Sequence, residues 1–379
     1  MPYWRLSGFY FFYFAALGAL VPFWGLYLQG RGFLPVDIGQ LMAILMGTKI
    51  IAPNVWGWIG DHRDSRMPIV RLASLLSCLI FIGIFFAENF WGMALVMVLF
   101  SFFWNASLPQ MEVVTFNHLG SRIRRYASIR LWGSVGFALA VLVIGEVMEW
   151  TGTGVVPRVV LVIFIGIWLS SLIVPDSPLP HFDQPASPVL AMIGRPEVAA
   201  YLTSGFLMQA SHGAYYAFYS IYLIEAGYSS AAVGALWAWA VTMEVLLFLI
   251  MHRLLERYGA RLVLLSSLVL AAGRWLLVGS FIDILWVQVV AQALHAATFG
   301  AFHASSIHLA HHYFTGRTQG RGQALYNSLS FGAGGAAGSL VGGILWTTAG
   351  PAITFGLSAL AAALGWLAAW LWLDRERMY

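Results

Sequence analysis

The chain has 379 residues, of which 60% are hydrophobic, 15% aromatic and only 9% charged. Soluble domains carry about 25% charged residues, so a water-facing globular enzyme is excluded and a polytopic membrane protein remains. The net charge of +4 comes from 20 Lys+Arg against 16 Asp+Glu; the basic residues are spread through short loops, which is no signature of a nucleic-acid partner.

A membrane helix needs about 20 mostly apolar residues. In chain order, the runs that meet this lie at about 7–28, 37–59, 67–87, 90–117, 126–147 and 157–174, then 198–224, 230–252, 260–281, 284–310, 321–346 and 351–373. The first run is expected to be a span rather than a cleaved leader, because Pro22, Gly25 and Tyr27 make no small-residue cleavage site. The longest polar stretch, 175–196, contains prolines at 175, 178, 180, 185 and 188. It reads as a linker between an N-terminal six-helix half, 1–174, and a C-terminal half, 197–379. If both termini are cytoplasmic, the cytoplasmic segments hold fifteen basic residues, from Arg5 to Arg377. The opposite side holds only Arg31 and Arg158. That bias obeys the positive-inside rule and predicts a bacterial inner membrane protein with both ends in the cytoplasm.

The halves repeat one another. At a shift of 195, Gly18 meets Gly213, Gly32 meets Gly227, Gly39 meets Gly234 and Arg66 meets Arg261. At 196, Arg125 meets Arg321, Ser134 meets Ser330 and Gly136 meets Gly332. Two parallel six-helix repeats are one recurrent transporter layout. The lone cysteine, Cys78, excludes disulfides within the chain and CxxC sites. The lone lysine, Lys49, is followed by Ile50, so no phosphate-binding loop exists and no cofactor is expected.

The residues between helices 2 and 3 carry a resemblance. Gly57, Asp61 and Arg66 fit the loop G-x-x-x-D-R-x-G-R, with departures at His62 and Asp64, and Glu256 to Arg261 reads as a second copy. In this the chain resembles the major facilitator superfamily along its whole length. The resemblance implies an all-α membrane fold with the substrate site between two pseudo-symmetric halves. It also implies that Gly57, Asp61, Arg66, Glu256 and Arg261 form a conformational latch. Asn105 to Glu112, followed by Tyr126 to Gly136, looks like helices 4 and 5 of the lactose permease and phenylpropionate permease group. Ala301-Phe302-His303 and Gly320 to Tyr326 look more like the phenylpropionate branch.

Five charges fall within predicted spans: Lys49, Glu112, Arg130, Glu244 and Arg274. Each costs about 2.5–3.5 kcal/mol at mid-membrane unless it pairs, faces water or binds something. Glu112 and Arg130 lie at the separation of the sugar-binding pair of the lactose permease, and Asn105 shares a helix face with Glu112. Lys49 is a cation suited to an anionic substrate. Gln209 with His212, and Asn327 with Ser330, pair along their helices, and Trp132, Tyr215, Tyr216 and Tyr219 are candidates to wall an aromatic ligand. Glu244, Arg274 and His295 resemble in order the lactose permease set for coupling and binding, but Thr298 stands where that set has a carboxylate. The proton carriers are therefore expected among Glu244, His295 and His303, with Glu112 a further candidate. The substrate ligands are expected to be Lys49, Asn105, Glu112, Arg130, Gln209, Arg274 and Asn327.

An enzyme is the distant alternative: His308, His311 and His312 match one box of a di-iron desaturase, but one box does not close a metal site. The expectation is a monomeric secondary transporter in the lipid bilayer that takes up a small organic acid, with an aromatic acid in view, together with protons. A sugar or nucleoside symporter, or an uncoupled facilitator, is the alternative.

Overall fold

A computed structural model describes residues 1–63, 65–177 and 190–374. Asp64, most of the predicted linker (178–189), Arg375 and Arg377 lie outside the described residues. Among the described residues there is no strand. Ten helices are long and apolar enough to cross a membrane. One of them, Ser230–Ser280, has 51 residues and breaks at Gly259, whose φ is +76°. At 1.5 Å per residue it is more than twice the length that a bilayer needs, and it supplies two spans. The helix Pro196–Glu225 is long enough but more polar, with Gln209, Ser211 and His212 in its interior. The twelve predicted spans are thus all helical.

They are α1 (Tyr3–Gly30), α2 (Pro35–Asp61), α3 (Met67–Phe85), α4 (Phe90–Leu119), α5 (Tyr126–Thr151) and α6 (Val156–Ile173). The second set is α7 (Pro196–Glu225), α8 (230–258), α9 (260–280), α10 (Leu285–Tyr313), α11 (Gln319–Thr348) and α12 (Gly350–Trp372). Local chemistry sets several starts. Proline occupies the first turn of α2, α3, α6, α7 and α12, where its missing N–H costs nothing. Asn89 caps α4, its Oδ1 accepting from Gly92 N at 2.9 Å.

The chain forms two compact units. The first is Met1–Asp37, Thr48–Asp183 and Ser229–Ala238; the second is Ile38–Gly47, Gln184–Tyr228 and Trp239–Tyr379. In the first, α1 packs on α5 and α6, and α3 on α4 and α6. In the second, α7 packs on α11 and α12. These are repeat-related pairings, and glycine enforces them. A Cβ on Gly136 of α5 would strike the Phe11 carbonyl on α1, and a Cβ on Gly334 of α11 would strike the Phe206 carbonyl on α7. Phe11 and Phe206 are 195 apart. Packing therefore matches Gly136 with Gly334, not with the Gly332 that a sequence shift of 196 selects. The widened π turn Ser328–Gly334 lies at this contact. A second π turn, Ala296–Ala301, widens α10 directly after His295. Such turns mark functional positions in helices.

Candidate functional site

The predicted site residues fall into one polar cluster in each unit. In the first unit, Lys49 of α2 follows Thr48, which opens a relay of hydroxyls. Asn105 Nδ2 donates to Thr48 Oγ1 at 2.9 Å, and Thr48 Oγ1 donates to Ser101 Oγ at 2.9 Å. Ser101 Oγ in turn donates to the Met97 carbonyl at 2.6 Å. Asn105 and Ser101 are buried and Lys49, one residue after Thr48 in α2, is half-buried.

Glu112 and Arg130 lie on the neighbouring helices α4 and α5, but they do not form an ion pair among the described residues. Glu112 Oε1 accepts from Tyr126 OH at 3.0 Å. Tyr126 stacks on Phe116 with ring centroids 4.7 Å apart and meets Tyr10 edge-on at 6.3 Å. Arg130 lies with Cζ 3.5 Å from the centroid of Phe14, a cation–π contact. Gly133 makes room for it: a Cβ there would come within 2.8 Å of Arg130 Nη1 and 2.6 Å of the Phe14 ring. The two charges remain within electrostatic reach of each other.

The second cluster centres on Arg274 of α9, which is 0% exposed. Its Nε donates to the Ala291 carbonyl at 2.8 Å. Nη1 donates to His295 Nδ1 and to Thr298 Oγ1, both at 3.1 Å, and Nη2 donates to Gln292 Oε1 at 2.9 Å. The guanidinium also lies 4.4 Å from the Tyr215 ring and 4.5 Å from the Trp275 ring. On the far side of His295, Nε2 is 3.8 Å from Glu244 Oε2. Gly300 leaves space for that carboxylate, since a Cβ there would be 3.0 Å from Glu244 Cγ.

Around this core the rings of His295, Phe299 and His303 run down α10 with nearly parallel planes. Their centroids are 5.1 and 6.5 Å apart, and Phe331 of α11 meets Phe299 and His303 edge-on. Of the aromatic wall expected on α7, two hydroxyls are engaged in packing on α10. Tyr215 OH donates to Gln292 Oε1 at 3.0 Å and Tyr219 OH to Gln288 Oε1 at 3.3 Å. Gln209, buried beside them, accepts from Tyr216 OH at 3.4 Å. His212 Nδ1 bonds to the Met208 carbonyl at 2.8 Å. Asn327 is exposed and stays outside both clusters, and Trp132 Nε1 donates to Tyr3 OH on α1 at 3.1 Å.

Sequence reasoning missed Thr48, Ser101, Gln288, Gln292 and Phe14. A signal existed for the glutamines, because Gln288, Gln292 and His295 recur at helical spacing on one face. None existed for Phe14, which is one of many aromatic residues on α1.

The expected latch residues separate into distinct roles. Asp61 pairs with Arg66, and Arg66 Nη1 donates to Gln110 Oε1 on α4 at 2.6 Å. Gly60 lies under this guanidinium, so that a Cβ there would push the ends of Arg66 and Gln110 aside, whereas Gly57 has open space around it. Arg261 ties the end of α12, donating to the Trp370 and Leu373 carbonyls at 3.0 and 3.2 Å. Arg71 does the same for α6 through Val174 and Ser171. Arg261 thus mirrors Arg71, not the Arg66 that the sequence shift pairs with it. Glu256 is exposed.

Comparison with known proteins agrees with this architecture. The sequence model described as MFS_1 like family matches residues 3–357. A protein of Escherichia coli (strain K12) named probable 3-phenylpropionic acid transporter is 30% identical, over 93% of each chain. The maltose permease of Geobacillus stearothermophilus is 27% identical, over 89% of this chain and 86% of its own. Among solved structures, the nucleoside transporter NupG superposes with a TM-score of 0.85 at 16% identity, covering 99% of this chain and 100% of that one. These relatives are transporters, not enzymes.

Proposed function

As the chain belongs to the MFS_1 like family and is a multi-pass transporter, we propose that it is a secondary active transporter for a small organic acid, taken up with protons by alternating access. Supporting this reading, the relative at 30% identity is named for 3-phenylpropionic acid. The observation that carries it is Lys49, a cation within a membrane span, next in sequence to Thr48 of the Asn105–Thr48–Ser101 relay. A carboxylate substrate meets the ammonium, and the relay supplies hydroxyl and amide groups to its oxygens. The Phe14 ring lies against Arg130 and aromatic rings line the α10 column, which favours an aromatic acid within that class.

Glu112 and Arg130 complete the substrate ligands of the first unit. Glu244, His295 and His303 form the group through which the proton is handled. The protein works as a monomer in the bacterial inner membrane with both termini in the cytoplasm, in keeping with fifteen basic residues on that side against two on the other. The test is uptake of labelled 3-phenylpropionate into proteoliposomes under an inward proton gradient. Uptake above protein-free vesicles supports the reading. Uptake of maltose or a nucleoside in its place favours a neutral-substrate symporter, for which Glu112 and Arg130 are the motivating pair.

A further inference from the structure

Arg274 has five N–H donors and no acceptor. Four of the five are spent within the protein, on the Ala291 carbonyl, His295 Nδ1, Thr298 Oγ1 and Gln292 Oε1. No carboxylate pairs with it among the described residues, and none of its surface is open. A guanidinium so committed has no fork left for a substrate carboxylate, which needs two parallel donors.

Its bond to His295 has a further consequence. Because Arg274 Nη1 can only donate, His295 Nδ1 must be the bare acceptor. The single ring proton of the neutral imidazole then resides on Nε2, the nitrogen that faces Glu244 Oε2 at 3.8 Å. A second proton on Nδ1 would break the bond from Arg274 and set two cations 3.1 Å apart. The other groups around the imidazole are Tyr215 and His212 of α7, Trp275 beside Arg274, and Phe299 on its own helix. None of these is an anion that would favour a charged imidazole from the Nδ1 side.

We propose that Arg274 is a positioning residue, not a substrate ligand: it holds His295 as the Nε2–H tautomer, a fixed donor toward Glu244, and leaves Glu244 as the carboxylate that gains and releases the transported proton. The role of Glu244 rests on the proton-coupled reading above; the tautomer does not. The proton step is a simple one. The Glu244 carboxylate takes a proton from water on one side and returns it on the other, while His295 keeps its own.

The first test is spectroscopic and independent of transport. In protein labelled with 15N-histidine, the His295 signals are identified by their loss in His295→Gln. They should show a bare Nδ1 and a protonated Nε2 at about pH 8 and equally at about pH 6, either side of the ordinary imidazole value. A doubly protonated ring at the lower pH, or a proton on Nδ1 at either, overturns the proposal. Arg274→Gln should release the ring into mixed tautomers; should that variant fail to fold, the wild-type spectra still decide.

The second test is proton movement in proteoliposomes. Glutamine can accept from Arg274 and donate to Glu244, so the uptake that His295→Gln retains, at whatever rate, should still move protons with the substrate. Glu244→Gln should abolish proton movement while substrate exchange persists. Loss of coupling in His295→Gln with exchange intact would make His295 the carrier and overturn the assignment. A wild-type protein that moves substrate without protons overturns the coupled reading and Glu244's role, and the spectra judge the positioning role separately.

Discussion

Arg274 and Arg130 carry the same charge inside predicted spans and are used in opposite ways. Arg274 is saturated by neutral acceptors. Arg130 lies on the face of Phe14, half-buried, with Gly133 making space for it. Removing Arg274 leaves His295 Nδ1, Gln292 Oε1 and the Ala291 carbonyl without this donor. A buried acceptor left unmet costs about 1–3 kcal/mol. Arg274→Met is therefore expected to destabilise the protein by at least about 2 kcal/mol, read as a fall in unfolding temperature in detergent. Asn327→Ala, at an exposed position outside both clusters, should stay within about 0.5 kcal/mol of wild type. Lys49→Ala should lower organic-acid uptake at least tenfold while leaving the unfolding temperature near that of wild type; unchanged uptake in both Lys49→Ala and Glu112→Gln contradicts the proposed site. All five intramembrane charges were legible in the sequence as anomalies, because lipid makes each of them expensive. Their partners were not. Nothing in the spacing of Glu112 and Arg130 shows that one turns to Tyr126 and the other to Phe14.

At the scale of elements, close helix packing is decided by where a Cβ can fit. Gly334→Leu places a side chain into the backbone of α7 at Phe206 and is expected to yield little folded protein in size-exclusion chromatography. Gly356 of α12 has open space around it. Gly356→Ala should raise stability by about 0.5–1 kcal/mol, since alanine loses less conformational freedom than glycine in a helix. Gly259, with φ +76° and ψ 156°, breaks α8 from α9; an L-residue there is forced into an extended, positive-φ region that is essentially glycine's alone, at a cost of about 1–3 kcal/mol. The spans themselves were readable, because an apolar run of the right length has few other fates in this composition. Gly32 and Gly227, aligned by the repeat, both take the left-handed conformation, at φ +86° and +90°. The π turns escaped the sequence. A widened turn leaves hydropathy unchanged, and Gly136, aligned by the sequence with Gly332, packs like Gly334.

For the whole molecule, composition alone placed the chain in a membrane, and the internal repeat pointed to a transporter of paired halves. The coincidence of a 30% identical relative over 93% of both chains with a fold superposing at TM-score 0.85 makes the family secure. Substrate and coupling belong to a finer level, because one fold serves many cargoes and energy sources. On the proposed reading, the chemistry that separates them sits in few side chains: Lys49, and Glu244 beside His295. The most direct measurement is proton flux on adding 3-phenylpropionate, without any imposed gradient, to liposomes holding the purified protein, followed with an external pH electrode. The account predicts alkalinisation with the aromatic acid and none with maltose or a nucleoside. A silent electrode while labelled 3-phenylpropionate still exchanges would contradict proton coupling, and alkalinisation only with a neutral substrate would contradict the organic-acid assignment.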